Sequence, residues 1–270
     1  MITAETMLTR KSVRTYDGRP LAAETLAALK AFAEAVEAPF GVPVTFEFLD
    51  AAAQGLSSPV LTGEPMYVAG KVGKVPYGDV AFGFAMEQLL LYAWSLGVGS
   101  VWIGGTMKRE LFEQAAGLGD GERMPCVSPL GYPAARRSLR ETVMRRGVGA
   151  DSRLPGEKLF FEDDFERPLR GKAREPWGEV LELVRWAPSA VNKQPWRLVL
   201  RDGAFHFYLR HDKGYVSEKV GDMQKIDVGI ALCHFVLGAR EKGLAAAVTV
   251  ADPGIPTPAG VEYIASVRAE

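Results

Sequence analysis

Apolar residues recur at helical spacing in four stretches of this chain and alternate in four others. Leu26, Leu29, Ala33 and Val36 share one face of a helix. It opens after Gly18-Arg19-Pro20-Leu21 and ends at Glu37-Ala38-Pro39-Phe40. Val180, Leu181 and Val184 mark a second helix, placed between Glu166-Arg167-Pro168-Leu169 and Trp186-Ala187-Pro188-Ser189. Two more begin at Asp79 and at Asp227 and stop at Ser95-Leu96-Gly97 and Glu241-Lys242-Gly243. Asp favours a helix start and Gly a helix end. Both of these helices are apolar nearly all round, which predicts burial on several faces. Alternating β-branched and aromatic residues predict strands at 44–49, 100–103, 197–200 and 247–250.

The order helix, strand, buried helix, strand therefore occurs twice. This predicts an internal duplication, with one half over residues 1–153 and a shorter one over 154–270. The charge-rich segment 133–174 is the crossover between them. The fold class expected is α+β, with mixed central sheets flanked by helices.

Composition adds mainly exclusions. The chain has 270 residues, 47% hydrophobic and 24% charged, enough for a large core. A net charge of −1 gives no global field for nucleic acid or an anionic membrane. Two cysteines, Cys126 and Cys233, form no disulfide framework. The three histidines, His206, His211 and His234, lack metal-ligand spacing, so no metal is expected. The apolar run 80–94 is interrupted by Glu87 and Gln88 and is too short to span a bilayer. No apolar core of signal-peptide length stands near the start, so a cytoplasmic protein is expected. Nucleophile-elbow, phosphate-loop and dinucleotide glycine motifs do not occur.

Two segments carry candidate chemistry. Arg10-Lys11-Ser12-Val13-Arg14 places a hydroxyl between guanidinium groups, which hold phosphate through charge-assisted bonds. Ala187-Pro188-Ser189-Ala190-Val191-Asn192-Lys193-Gln194-Pro195-Trp196 crowds small polar groups into a turn before a strand. Pro188, Ser189, Ala190, Asn192 and Gln194 there suit the edge of a flat heterocycle. The same turn also reads as a helix end, with Asn192 left-handed and Pro195 as a stop; the two readings are compatible. Trp196 is expected in the core.

Together these segments resemble the FMN-dependent nitroreductase family, and in particular a subfamily with two family-like halves in one chain. Such a resemblance implies a nitroreductase-like fold in a single-chain pseudo-dimer. One FMN would sit at the junction of the halves, and the protein would be a monomer. It implies phosphate and ribityl contacts from Arg10, Ser12 and Arg14, with Lys11 offering its backbone. Trp102, Ile103, Gly104 and Gly105 would form the loop near the reactive ring edge, where two glycines permit close approach. Gly104 stands where many relatives carry an acid. Asp151-Ser152-Arg153-Leu154-Pro155 resembles a further phosphate segment, matched at Arg153 and not at Asp151. Arg136, Arg137 and Arg140 read as a solvated face, and Gln54 as a weak candidate for a ring contact. The implied activity passes electrons from NAD(P)H to an electron-poor acceptor such as a nitroaromatic or quinone, with no side chain as catalyst. The alternatives are a flavin-binding or flavin-storing protein without turnover, and another FMN enzyme on the same fold.

Overall fold

The computed structural model describes residues 2–136, 138–147, 149 and 152–269. Asp151 and Arg137 lie outside the described residues. Helices α1 (Ala4–Thr9) and α2 (Ala23–Ala35) lead into strands β1 (Val44–Asp50) and β2 (Met66–Gly73). The long helix α3 (Gly78–Ser95) follows, then α4 (Arg109–Ala115), β3 (Glu122–Arg123) and β4 (Val127–Leu130). Helix α5 (Leu139–Gly147) and β5 (Phe160–Glu162) lead to α6 (Gly178–Trp186), β6 (Trp196–Arg201) and β7 (Ala204–Arg210). A short hairpin, β8 (Val216–Ser217) and β9 (Gly221–Asp222), precedes the second long helix, α7 (Met223–Glu241). Strands β10 (Ala246–Thr249) and β11 (Val261–Ala269) close the chain.

The strands form two main sheets. One has the order β1-β2-β3, with β4 also on β2. The other runs β10-β11-β7-β6-β5, antiparallel except for the parallel pair β5–β6. Between them lie α3 and α7, which pack against each other along the middle of the molecule. Both are buried on nearly every face, as their patterning predicts. Trp177 stacks on Phe235 at 5.3 Å and ties α6 to α7.

Glycine sets the closeness of the α3–α7 crossing. A Cβ on Gly83 would stand 2.1 Å from the carbonyl oxygen of Ile226, and one on Gly229 would stand 2.1 Å from that of Val80. The contact is reciprocal, each residue of α3 having its counterpart 146 positions on. Both helices also end alike. The Val98 and Leu244 amides donate back to Ala93 and Ala239, with Gly97 and Gly243 left-handed, the same 146 positions apart.

Two sequence expectations need correction here. Residues 100–103 form no strand. Ser100 and Ile103 make single bridges, to Ser12 and Val127, because the chain bends at Gly104. Asp227 does not start α7; Asp222 caps it, accepting the amides of Gln224 and Lys225, and Asp227 falls in the second turn. The acidic run Glu162-Asp163-Asp164 at the end of β5 is partly neutralised, since Arg167 pairs with Asp163 and Asp164. Among the described residues no helix is long and apolar enough to cross a membrane.

Candidate active site

A cavity of about 570 Å³ opens between helix α7 and the chain's early segment. That size suits a drug-sized or cofactor-sized ligand. Its wall brings together Arg10, Lys11, Ser12 and Arg14 with Trp102, Ile103, Gly104 and Gly105. From far along the chain come Arg153, Pro188, Ser189, Ala190 and Asn192. Thirteen of the residues singled out from the sequence thus meet in one place, while Gln194 and the weak candidate Gln54 stand outside it.

The early segment is pinned as an extended strap. Arg10 closes α1, its amide donating to Thr6. The Val13 amide donates to Ser100 at 2.9 Å, and Arg14 and Tyr16 exchange backbone bonds with Thr62. The Lys11 ammonium rests 5.9 Å from the centre of the Trp94 ring.

Arg10 has a second role. Its Nε lies 3.5 Å from Glu87 Oε1 on α3, with 4% of the side chain exposed. Glu87 is fully buried, and its oxygens also face His234 of α7 at 3.1 Å and accept the Trp102 indole N–H at 3.0 Å. Burial opposes the charge on Glu87, yet the Arg10 guanidinium and the hydrogen bonds from His234 and Trp102 outweigh it and hold the carboxyl below its usual range. The Trp102 side chain therefore braces α3. Arg10 Nη2 is buried without a partner among the described residues.

The late turn is tied to itself. The Gln194 amide donates to Ser189 Oγ at 2.9 Å. The Gln194 side chain accepts from Leu154 at 2.8 Å and donates to Asn192, and it is 3% exposed. Gln194 therefore builds the turn from behind and does not line the cavity, where a place on a ring edge was expected. Asn192 is left-handed, as expected, and its amide donates to Gly149 and Ser152. Val191, β-branched, is left-handed too, an uncommon strain at a binding-site turn. Arg153 lies 4.8 Å over Trp186 and donates to its carbonyl, so its charge is fixed beside this turn.

Arg109 shapes the glycine loop by donating to the carbonyls of Gly104, Met124 and Pro125. A Cβ on Gly104 would meet Cys126 Sγ and Met223 Cε at 3.3 Å, while Gly105 has open space. Gln54 is exposed in a turn away from the cavity. Arg136 is exposed, as expected of a solvated face. Among the described residues no acidic, thiol and imidazole group is arranged for a metal.

The family model described as "Putative TM nitroreductase" matches residues 3–239. The chain belongs to this nitroreductase family. Its α+β fold is that of a protein from Thermotoga maritima MSB8 described as a "putative nitroreductase", at a TM-score of 0.63 and 20% identity over 99% of this chain and 93% of that one. An FMN-dependent nitroreductase from Clostridium difficile R20291 is similar over 49% of this chain and 88% of its own, with 16% identity and a TM-score of 0.43. No curated protein matches the chain.

In this nitroreductase-family cavity, sequence reading missed the α7 wall: Met223, Ile226, Asp227 and Ile230. It also missed Cys126, Met7 and Leu8. Ile226 and Ile230 showed only apolar helical spacing, which does not separate a core face from a cavity face. Cys126 lines the cavity, but burial pushes its thiol up to about 12, and burial raises Cys233 further from reactivity. Neither thiol should react with iodoacetamide at about pH 8 in the native protein, since the thiolate is the nucleophile. Both should react after guanidinium unfolding; native labelling of either would contradict their burial.

Proposed function

We propose that the chain is an FMN-dependent oxidoreductase that passes electrons from NAD(P)H to an electron-poor acceptor such as a nitroaromatic or a quinone. One observation carries the reading. A cation–hydroxyl–cation strap from one end of the chain and a polar turn with Arg153 from the other wall a single cavity. The residues present fit the cofactor: four cations line the cavity, and the buried Arg10 Nη2 lacks a partner that an anionic or lone-pair group would supply. Arg14, Ser12 and Arg153 would hold the phosphate and ribityl chain. Gly104 and Gly105 would let the backbone come close to the ring.

Bound flavin would supply the hydride and electron chemistry, and the protein binding, orientation and electrostatics. Apolar walls from Val101, Ile103, Ile226 and Ile230 would keep water from the ring. No side chain is assigned as acid or base in electron transfer.

We read the chain as two fused halves with one FMN between them. The reciprocal α3–α7 crossing supports this, because it occupies inside one chain the kind of face that would otherwise drive dimerisation. Light scattering with flavin absorbance should give one FMN per monomer. Arg14→Ala should weaken FMN binding roughly 10- to 150-fold, the loss of a charge-assisted bond of about 1.5–3 kcal/mol. Arg170→Ala, removing a largely exposed charge paired with exposed Glu157, should change it little. Equal dissociation constants for the two variants would remove Arg14 from the site. Bleaching of the yellow protein by NADH or NADPH distinguishes turnover from flavin storage.

A further inference from the structure

Asp227 is the one carboxyl on the cavity wall among the described residues. It is 3% exposed, and its two oxygens share a single donor, the Ala190 amide, at 3.0 and 3.1 Å. None of the cavity cations Arg10, Lys11, Arg14 and Arg153 forms an ion pair with it, and its charge neighbour is another carboxyl, Asp222, which caps the same helix. The groups around it from other elements do not compensate. Cys126 beside it is a neutral thiol. Asp79 of α3 is paired with Arg123, Lys193 with Asp212, and Lys225 with Glu262. Arg109 is spent on backbone carbonyls.

A buried carboxylate requires several donors or a cation to remain ionised. One shared N–H does not meet that need, and burial first, with Asp222 adding to it, raises the group well above the ordinary carboxyl range despite the Ala190 bond. A protonated carboxyl must in turn place its O–H on an acceptor. The hydrogen bonds found at Asp227 are those from Ala190, and they use it as acceptor. Its remaining open direction is the cavity.

We propose that Asp227 is a carboxylic acid of the binding site, donating its O–H from the cavity wall to a lone-pair acceptor on the edge of the bound heterocycle. The inference rests on the flavin reading for the identity of that heterocycle, but the protonated state belongs to the ligand-free protein. Asp227 would thus do two things at once: its C=O holds the Pro188–Asn192 turn through Ala190, and its O–H reads the ligand.

Two measurements test this, with FMN as the probe. The first follows thermal unfolding of ligand-free wild type and Asp227→Asn across pH. Asn keeps an acceptor for Ala190 and a donor for the cavity, but does not titrate. A folded value above the ordinary 3.8 means that the wild type's advantage is fully present below about pH 4 and is lost as pH rises through the folded value. The midpoint of Asp227→Asn should therefore gain on wild type with rising pH. A constant offset, expected of a purely structural role, would overturn the proposal. The second measures FMN dissociation constants. Asp227→Asn should bind within about threefold of wild type, and Asp227→Ala about five- to tenfold more weakly, the loss of one hydrogen bond. Asp227→Ala binding as tightly as wild type would overturn the donor role. If wild type itself binds no FMN, the flavin reading fails and the pH series alone decides the acid.

Discussion

Gly229→Ala should destabilise the protein by about 3 kcal/mol or more, at or above the upper end of ordinary overpacking. The new methyl would stand 2.1 Å from the Val80 carbonyl oxygen and 3.0 Å from the Phe84 amide nitrogen. These are backbone atoms of α3, so no rotamer change makes room. The two helices would have to separate along their whole contact, loosening the best-packed part of the core. Helix propensity acts in the opposite direction: Ala is better than Gly in a helix interior by about 1 kcal/mol. A stability gain in denaturant titration would therefore show that the crossing is looser than described. Gly83→Ala should behave likewise, because its methyl would meet Ile226 in the reciprocal contact. Gly147→Ala in α5, where a Cβ meets nothing within 4 Å among the described residues, is the control and should be neutral or slightly stabilising. The same separation would widen the cavity at Ile226 and Asp227, so FMN affinity should fall together with stability.

The crossing also shows what was legible in the sequence. The two all-round apolar helices were readable because full burial leaves no polar stripe. Their equivalence was readable in outline only. Matching Asp79 with Asp227 gives a register two residues away from the structural one, in which Gly83 matches Gly229 and Gly97 matches Gly243. The better signal was the equal glycine spacing in both helices, since glycine marks backbone contact and left-handed caps, while Asp occurs wherever a carboxyl finds donors. Asp79 accepts the Asp222 amide and pairs with Arg123; Asp227 accepts Ala190. Neither caps its helix. The cavity's polar rim was legible because cation–hydroxyl and small-polar clusters are compositional signals. Its α7 wall was not, because Ile226 and Ile230 look the same in sequence whether they face the core or a ligand. Gln194 shows the converse: a polar residue in a binding motif that spends its groups on Leu154 and Asn192, holding the turn that the ligand would meet.

Glu87→Gln should be strongly destabilising although it is near-isosteric. Gln can still accept the Trp102 indole N–H, but it removes the negative charge that Arg10 faces at 3.5 Å with 4% of its side chain exposed. Breaking a buried pair from one side typically costs about 3–5 kcal/mol, because the surviving charge stays buried. For a chain of this size that is a fall in melting temperature of roughly 10 °C. The pH dependence identifies the cause. Glu87 is held below its ordinary value of 4.5, burial being outweighed by Arg10, His234 and Trp102. Its stabilisation is therefore present above about pH 4.5 and is lost as pH falls through the lower folded value. The gap between wild type and Glu87→Gln should be widest near neutrality and should close in acid; a gap that stayed constant down to about pH 3 would assign the loss to packing instead. The consequence for the site follows from the same contacts. Glu87 holds Arg10 at one side of the cavity and Trp102 at the start of the glycine loop, so one buried carboxylate sets the distance between the strap and the loop. Removing its charge should weaken FMN binding even where the variant remains folded, although Glu87 itself does not line the cavity. Arg10→Met in the same background should restore much of the stability, because it removes the stranded charge, and should leave FMN affinity low, because it also removes a cation from the wall.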